Sequence, residues 1–416
     1  MKHYLVIQLA RFGDLMQTKR LLMTLCGLED ATVHLCLDRS LEPLARLVYP
    51  GVELHPVTAH GTGLDAAEAA RAMLVDNRRA FARLQSIGFE AVYNLNFSGL
   101  NFRLAALFDP ATVHGYGWRD GQELIGPWPA MAMRWSATRR IGLNLVDFWG
   151  GYRRDMISPE TVNPAATPKG GGIGVVLAGR ESRRSLPGEI LARTATTLAQ
   201  RAKAEVLLLG GKGEAAAGQG VLKQMGPAVQ ARTRNLAGTT DWAGLAEVVG
   251  GLDLLITPDT GTMHLAAHLG TPVLACFLSS AWCFETGPYG AGHTVLQAMA
   301  PCAPCLESRQ CDYDTACLAP FADPGFQRYL VTGKTEHLPG KLTAFASGFD
   351  ELGLTFEAAA GGDPDREERT RLRRFVLEHL TGSGKGISNE DQGLAHQLFR
   401  DKDWMAAPDT PCKECR

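Results

Sequence analysis

The sequence predicts an α/β protein of two domains, each a parallel sheet wrapped by helices, and three observations predict it. Over the first 120 residues short apolar runs alternate with helical stretches, the rhythm of a parallel sheet with crossover helices. Residues 118–165 break that rhythm and carry four of the seven tryptophans (Trp118, Trp128, Trp135, Trp149) together with Pro127 and Pro129. After the Pro- and Gly-rich stretch VNPAATPKGGG (162–172), which reads as a linker, the alternation restarts.

In chain order, the first domain's strands are YLVIQL (4–9), ATVHLCL (31–37), VELHPV (52–57), FEAVYNLN (89–96) and TVHGYG (112–117). Its clearest helix is DAAEAARAMLVDNRRAFARLQSIG (65–88), rich in Ala, Arg and Leu. In the second domain the order is GIGVVLAG (172–179), a helix from about Pro187, EVLLLG (205–210), a further helix, RNLAG, a helix over 241–250, DLLITP (253–258), a helix from Thr260, and PVLACF (272–277). The expected division is 1–165, 170–349 and a charged helical tail over 350–416, with an amphipathic helix at 361–380, another at 388–400 and order thinning from Cys302 onward. In open parallel sheets the carboxyl ends of the strands are the default ligand site.

With 45% hydrophobic residues in 416, the chain is long enough for two cores. Charge nearly cancels, 42 Lys and Arg against 44 Asp and Glu, so no overall field recruits nucleic acid. No apolar run approaches the ~20 residues of a membrane span. YLVIQLA is too short for a secretory leader and runs at once into Arg11, so the chain reads as cytoplasmic. Of ten cysteines, four form Cys302-x2-Cys305-x5-Cys311-x5-Cys317 and two close the chain as Cys412-x2-Cys415. Cys26, Cys36, Cys276 and Cys283 lie in or beside apolar segments, as buried inert thiols do.

Three strand-to-helix turns could do chemistry. In TPDTGTMHLAAHLGTPVL (257–274) a strand ends at Pro258-Asp259 and Thr260-Gly261-Thr262 open a helix continuing through Met263 and His264. The amides and dipole of a first helical turn bind phosphate, and Asp259 suits sugar hydroxyls. A helix that Asp259 or Thr260 merely caps, with His264 packed in the core, is the alternative. AGRESRRSLP (178–187) follows a strand and carries Arg180, Arg183 and Arg184, whose forks suit a diphosphate; a solvated basic loop is the alternative. GGKGE (210–214) lacks the spacing of a Walker or dinucleotide fingerprint, although Glu214 could take ribose hydroxyls. RFGDLMQTKRLL (11–22) places Gly13, Asp14, Thr18 and Lys19 after the first strand. There Asp14 is either the N-cap of a helix from Leu15 or a carboxylate placed to take a proton.

Together these segments resemble glycosyltransferase family 9, the lipopolysaccharide heptosyltransferases, over about residues 1–300. RFGDLMQTKRLL is similar to that family's amino-terminal Gly-Asp turn, and residues 235–277 resemble its donor-binding segment along nearly their whole length. The resemblance implies a GT-B fold of two Rossmann-like domains facing a cleft, with acceptor bound in the first and nucleotide-sugar in the second. It implies inversion at the anomeric carbon without a metal, with Asp14 as general base and the Asp259–Met263 turn as the pyrophosphate and sugar site. Where the family often has Lys-aromatic-Pro, this chain has Arg184-Ser185-Leu186-Pro187.

The cysteine loop resembles one found in some members and could close a structural zinc site; two disulfides or four thiols are the alternatives. DPD (363–365) reads as a turn and helix start. The expected partners are an ADP-sugar, with heptose as the sugar, and a glycolipid or oligosaccharide acceptor met at the cytoplasmic face of the inner membrane. The acceptor is expected to bind through aromatic residues of 118–149. A nucleotide-sugar epimerase of the same plan and a non-catalytic binding protein are the rivals.

Overall fold

The structure is a computed structural model that describes residues 1–60, 65–135, 140–177, 182–306 and 309–382. The helix expected at 388–400 lies outside the described residues. It divides into two compact units, the first built mainly from Met1–Ala137 and Leu145–Ile157, the second mainly from Ser158–His379 with Thr138–Asn144.

The first unit holds a six-stranded sheet: β1 (Lys2–Gln8), β2 (Ala31–Asp38), β3 (Glu53–Val57), β4 (Phe89–Asn94), β5 (Val113–Arg119) and β6 (Gln122–Ile125), in the order β3-β2-β1-β4-β5-β6. All neighbours pair in parallel except β5 and β6. Helices bury β1 on both faces, so its central residues read as one apolar run rather than an alternation. Leu5, Ile7, Cys36, Val57 and Val92 share a core with Leu84 and Leu104 from the flanking helices, each full-sized side chain contributing about 1.5–3 kcal/mol of burial.

The last strand expected in this unit, TVHGYG, runs on to Arg119 and turns into β6 through Asp120 (φ 52°) and Gly121 (φ 81°), with Arg119 opposite Gln122. Two residues at positive φ form the tight hairpin turn that matches the strands' twist, and Asp-Gly is its sequence signature.

The second unit's sheet has eight strands: β7 (Ile173–Val176), β8 (Val206–Leu209), β9 (Thr233–Asn235), β10 (Leu254–Thr257), β11 (Val273–Phe277), β12 (Thr294–Ala298), β13 (Leu342–Phe349) and β14 (Leu354–Ala360). The order is β14-β13-β12-β11-β10-β7-β8-β9; β13 pairs antiparallel with both β12 and β14, and all other neighbours pair in parallel. The helix Gly188–Ala202 lays Ile190, Leu191, Ala195 and Ala199 against Val175, Val206 and Leu208, and Phe321, Phe326 and Leu330 close the same core.

Two expectations about boundaries meet a different arrangement. The stretch 162–172 is strapped to the second unit. Asn163 Nδ2 donates to Tyr289 O (2.8 Å), and the amides of Ala166 and Thr167 donate to Ala291 O (3.1 Å) and Gly270 O (2.9 Å). Gly171 donates to Gly251 O at 2.9 Å, where a Cβ would sit 2.4 Å from that oxygen; its glycines serve close backbone approach rather than looseness. Residues 350–379, expected in a separate tail, belong largely to the sheet and its cover. β14 pairs with β13, and the helix Arg366–Thr381 is tied down by Arg373 to Asp350 (2.6 and 2.5 Å) and Arg369 to Asp363 (2.8 and 3.1 Å). Asp363 and Asp365, the DPD pair, sit at the turn and helix start, Asp365 accepting from Arg140 Nε at 2.9 Å.

Candidate active site

Each sheet reverses its winding once. In the second unit the chain leaves β7 for β8 and β9 on one side, then returns to lay β10 on the other. Loops leaving neighbouring strands at such a point diverge and open a crevice at the carboxyl ends. The loop after β10 supplies Asp259 and Thr260, and the segment after β7 supplies Arg184 in the short turn Ser182–Arg184. Arg180 lies outside the described residues.

The side chains of Arg184 and Asp259 form an ion pair, 18% and 5% exposed. Asp259 also accepts from Thr286 Oγ1 at 2.8 Å, and its other carboxylate oxygen lies 3.8 Å from His264 Nε2. Burial, partly opposed by Asp259 and aided by Arg184, lowers His264 to about 4, so at neutral pH it is an uncharged imidazole packed behind the carboxylate. Thr260 takes extended backbone (φ −145°, ψ 166°) and makes no side-chain cap, so the helix Gly261–His268 begins with its first amides uncapped by that hydroxyl. Gly261 and Thr262 are half-buried there, whereas the Met263 side chain is fully buried in the core. Arg183 donates to Arg309 O at 2.9 Å. Glu214, one strand further along, folds back to accept from Gly211 N (2.6 Å) and so caps its own turn.

In the first unit the reversal falls between β1 and β4. Gln8, fully buried at the end of β1, donates to Thr18 Oγ1 (3.1 Å) and accepts from Asn96 Nδ2 (2.5 Å). Asn96 Oδ1 in turn accepts from Leu9 N at 2.7 Å. The helix opens at Phe12, three residues before the position expected, so Asp14 is its third residue rather than its N-cap. From there Asp14 Oδ2 accepts from Arg11 N at 3.1 Å, a capping-box contact, and the residue stays half-buried at the carboxyl edge of the sheet. Thr18 is fully buried, its hydroxyl donating to Asp14 O at 2.8 Å. Burial brings the Lys19 ammonium down to about 8.

Gln8, Asn96 and Thr286 are part of these two arrangements and were not singled out in the sequence. Polar residues at the ends of strands and short helices carry no periodic signature, and only the Gln8 amid an apolar run was a usable signal.

Buried neutral histidines give a pH prediction. His264 and His293 are both lowered from 6.5 to about 4 by burial, so between those values the unfolded chain binds protons that the folded chain refuses. Stability is therefore expected to fall as pH drops from 6.5 towards 4, by up to about 1.4 kcal/mol per pH unit for each such histidine. Hydrogen-exchange protection of the second unit's strands β10 to β12, measured across that window, would show it, and a flat profile would contradict it.

Cys302, Cys305, Cys311 and Cys317 are not joined by disulfides. Among the described residues the three-donor set within 4.8 Å is instead His34, Glu53 and His55. Cys412 and Cys415 lie outside the described residues. No helix of the described residues is long and apolar enough to cross a membrane.

Comparison with known proteins bears on the second unit most directly. Residues 179–316 match the family model for glycosyltransferase family 9 (heptosyltransferase). A 71-residue stretch is 42% identical to lipopolysaccharide heptosyltransferase 1 of Pseudomonas aeruginosa, a match spanning 17% of this chain and 19% of that relative's length. Two solved structures share the fold. One is E. coli heptosyltransferase WaaC with ADP, 17% identical with a TM-score of 0.51, covering 71% of this chain and 93% of that one. The other is a glycosyl transferase family 9 protein from Veillonella parvula, 18% identical with a TM-score of 0.50, covering 72% and 86%. The two-sheet architecture is thus the GT-B fold of these two structures, and the match to the glycosyltransferase family 9 (heptosyltransferase) model covers residues 179–316.

Proposed function

We propose that this protein is an inverting glycosyltransferase that moves a sugar, with heptose the first candidate, from an ADP-sugar to a lipopolysaccharide core or similar glycan. The observation that carries the reading is the Arg184–Asp259–Thr286 arrangement at the β7–β10 reversal, inside the segment that matches the family. Arg184 and the first amides of the helix Gly261–His268 bind the diphosphate and stabilise the charge that grows on it as the glycosidic bond breaks. Asp259, its charge offset by Arg184, orients sugar hydroxyls, and neutral His264 behind it adds no charge of its own. Glu214 is assigned to ribose hydroxyls, and it can accept them only by sharing or leaving its bond to Gly211 N.

On the acceptor side, Asp14 takes the hydroxyl proton as that oxygen attacks the anomeric carbon, with Gly13, Thr18 and Lys19 shaping the turn around it. Lys19, with a pKa near 8, supplies a cation that weakens above that pH. The acceptor is a glycolipid, reached by peripheral contact at the cytoplasmic face of a membrane. Cys302, Cys305, Cys311 and Cys317 are assigned a structural zinc, for which the loop must tighten, since no three of these sulfurs lie within 4.8 Å.

A thermal-shift series with ADP-, GDP-, UDP- and dTDP-sugars tests the donor. ADP-sugars are expected to raise the melting temperature, and Arg184→Ala to remove most of that rise. Stabilisation by another nucleotide alone would overturn the assignment. Transfer is also expected to proceed at an unchanged rate without Mg2+ or Mn2+; activity that returns only on adding either ion would contradict a metal-independent mechanism.

A further inference from the structure

In the first unit, β1, β2 and β3 bring three imidazoles and a carboxylate onto one face of the sheet. Strand geometry dictates the grouping. Residues two apart on a strand share a face, so Glu53 and His55 project together from β3. The parallel register sets His34 of β2 directly beside Glu53. It also sets Leu5 of β1 beside His34, which puts His3 on the same face one step back. His34 Nδ1 lies 2.9 Å from His55 Nε2 and 3.4 Å from Glu53 Oε2, while His34 Nε2 lies 2.9 Å from His3 Nδ1. His34 and His55 are each 2% exposed, and the Glu53 side chain is 51% exposed.

We propose that His34 Nδ1, His55 Nε2 and Glu53 Oε2 form a binding site for a divalent transition-metal ion of the Zn2+ class, clipping β2 to β3. The donors already stand close to the separation, about 3.3 Å, that a tetrahedral ion with ~2.05 Å bonds imposes on its ligands. Two imidazoles and one carboxylate suit first-row divalent ions. Burial lowers both His34 and His55, the latter to about 4, which keeps them in the neutral form that ligates a metal.

With a metal on Nδ1, His34 carries its proton on Nε2 and donates it to His3 Nδ1. His3 is then the outer partner that fixes tautomer and ring orientation. The exposed Glu53 leaves the remaining position open to water. The opposing group is Arg83, whose Nη2 is 3.8 Å from Glu53 Oε2; its side chain is 65% exposed, so solvent screens its repulsion and it can swing away.

Co2+ titrated alone into the purified full chain tests the site, because its visible bands report geometry and its sulfur charge-transfer band reports cysteine ligation. The expected result is tetrahedral visible bands that persist in Cys302→Ser/Cys305→Ser without a sulfur band. His55→Asn should weaken binding at least ~100-fold and His3→Gln about 10–100-fold. Glu53→Gln, an exposed change that leaves the core intact, should also weaken it and shift the bands. Bands that vanish in the double serine variant, Co2+ affinity unchanged in Glu53→Gln and His55→Asn, or no Co2+ binding to the parent chain would each overturn the proposal.

Discussion

Asp14→Asn is expected to lower sugar transfer by about 10²–10⁴-fold while leaving the fold and donor binding as they are. The asparagine oxygen can still accept from Arg11 N, the bond that Asp14 Oδ2 makes at 3.1 Å. Loss of the charge at that helix start costs no more than about 1 kcal/mol, too little to unfold the unit. What asparagine cannot do is take a proton. The discriminating measurement is the split between constants: kcat should collapse, the KM for the nucleotide-sugar should hold, and the pH limb belonging to the base should disappear. Transfer within tenfold of the parent would leave Asp14 as a capping residue only, and the base would have to be sought elsewhere.

Arg20→Met should be the most damaging single change to the first unit's stability. Arg20 and Asp147 form an ion pair at 2.6 Å with side chains 2% and 0% exposed, and Arg20 also donates twice to Ile157 O (3.1 and 2.9 Å). Removing the guanidinium leaves the Asp147 carboxylate buried with its main counter-charge gone, a loss of about 3–5 kcal/mol. Arg20→Met with Asp147→Leu should recover much of that, since replacing both partners by apolar groups of similar volume is often close to neutral. With two units in one chain, a single denaturation midpoint is a poor gauge. Hydrogen-exchange protection over residues 19–26 and 145–150 reads the affected elements directly. Equal protection in the parent and Arg20→Met would show that the pair contributes little.

The pairing also explains why the segment 145–157 belongs with the first unit. In the sequence, Arg20 is one of two basic residues in KR at the start of an ordinary amphipathic helix, and Asp147 sits 127 positions away. Nothing local distinguishes them from solvated charges. Only the folded chain decides which arginine is buried, because its partner arrives from a distant helix.

The sequence by itself determined the α/β class, the two sheets and the position of most parallel strands. Strands buried on both faces must be short continuous apolar runs, and their crossover helices must carry a different period, so each element announces itself locally. It also marked the turns after β1, β7 and β10 as the candidate sites, since Gly-Asp, Arg-rich and Asp-Thr-Gly-Thr stretches at strand ends are local features too. Tertiary structure alone decided the rest. The returning order β10-β7-β8 brings Arg184 onto Asp259 across 75 positions. Thr286 from a later helix joins them, and the β1–β2–β3 register stacks His3, His34, Glu53 and His55. The 162–172 stretch reads as loose because Pro and Gly lack periodicity, yet its backbone is held by carbonyls of distant loops. Strand order and register are relations between remote segments, and local propensity carries no record of them.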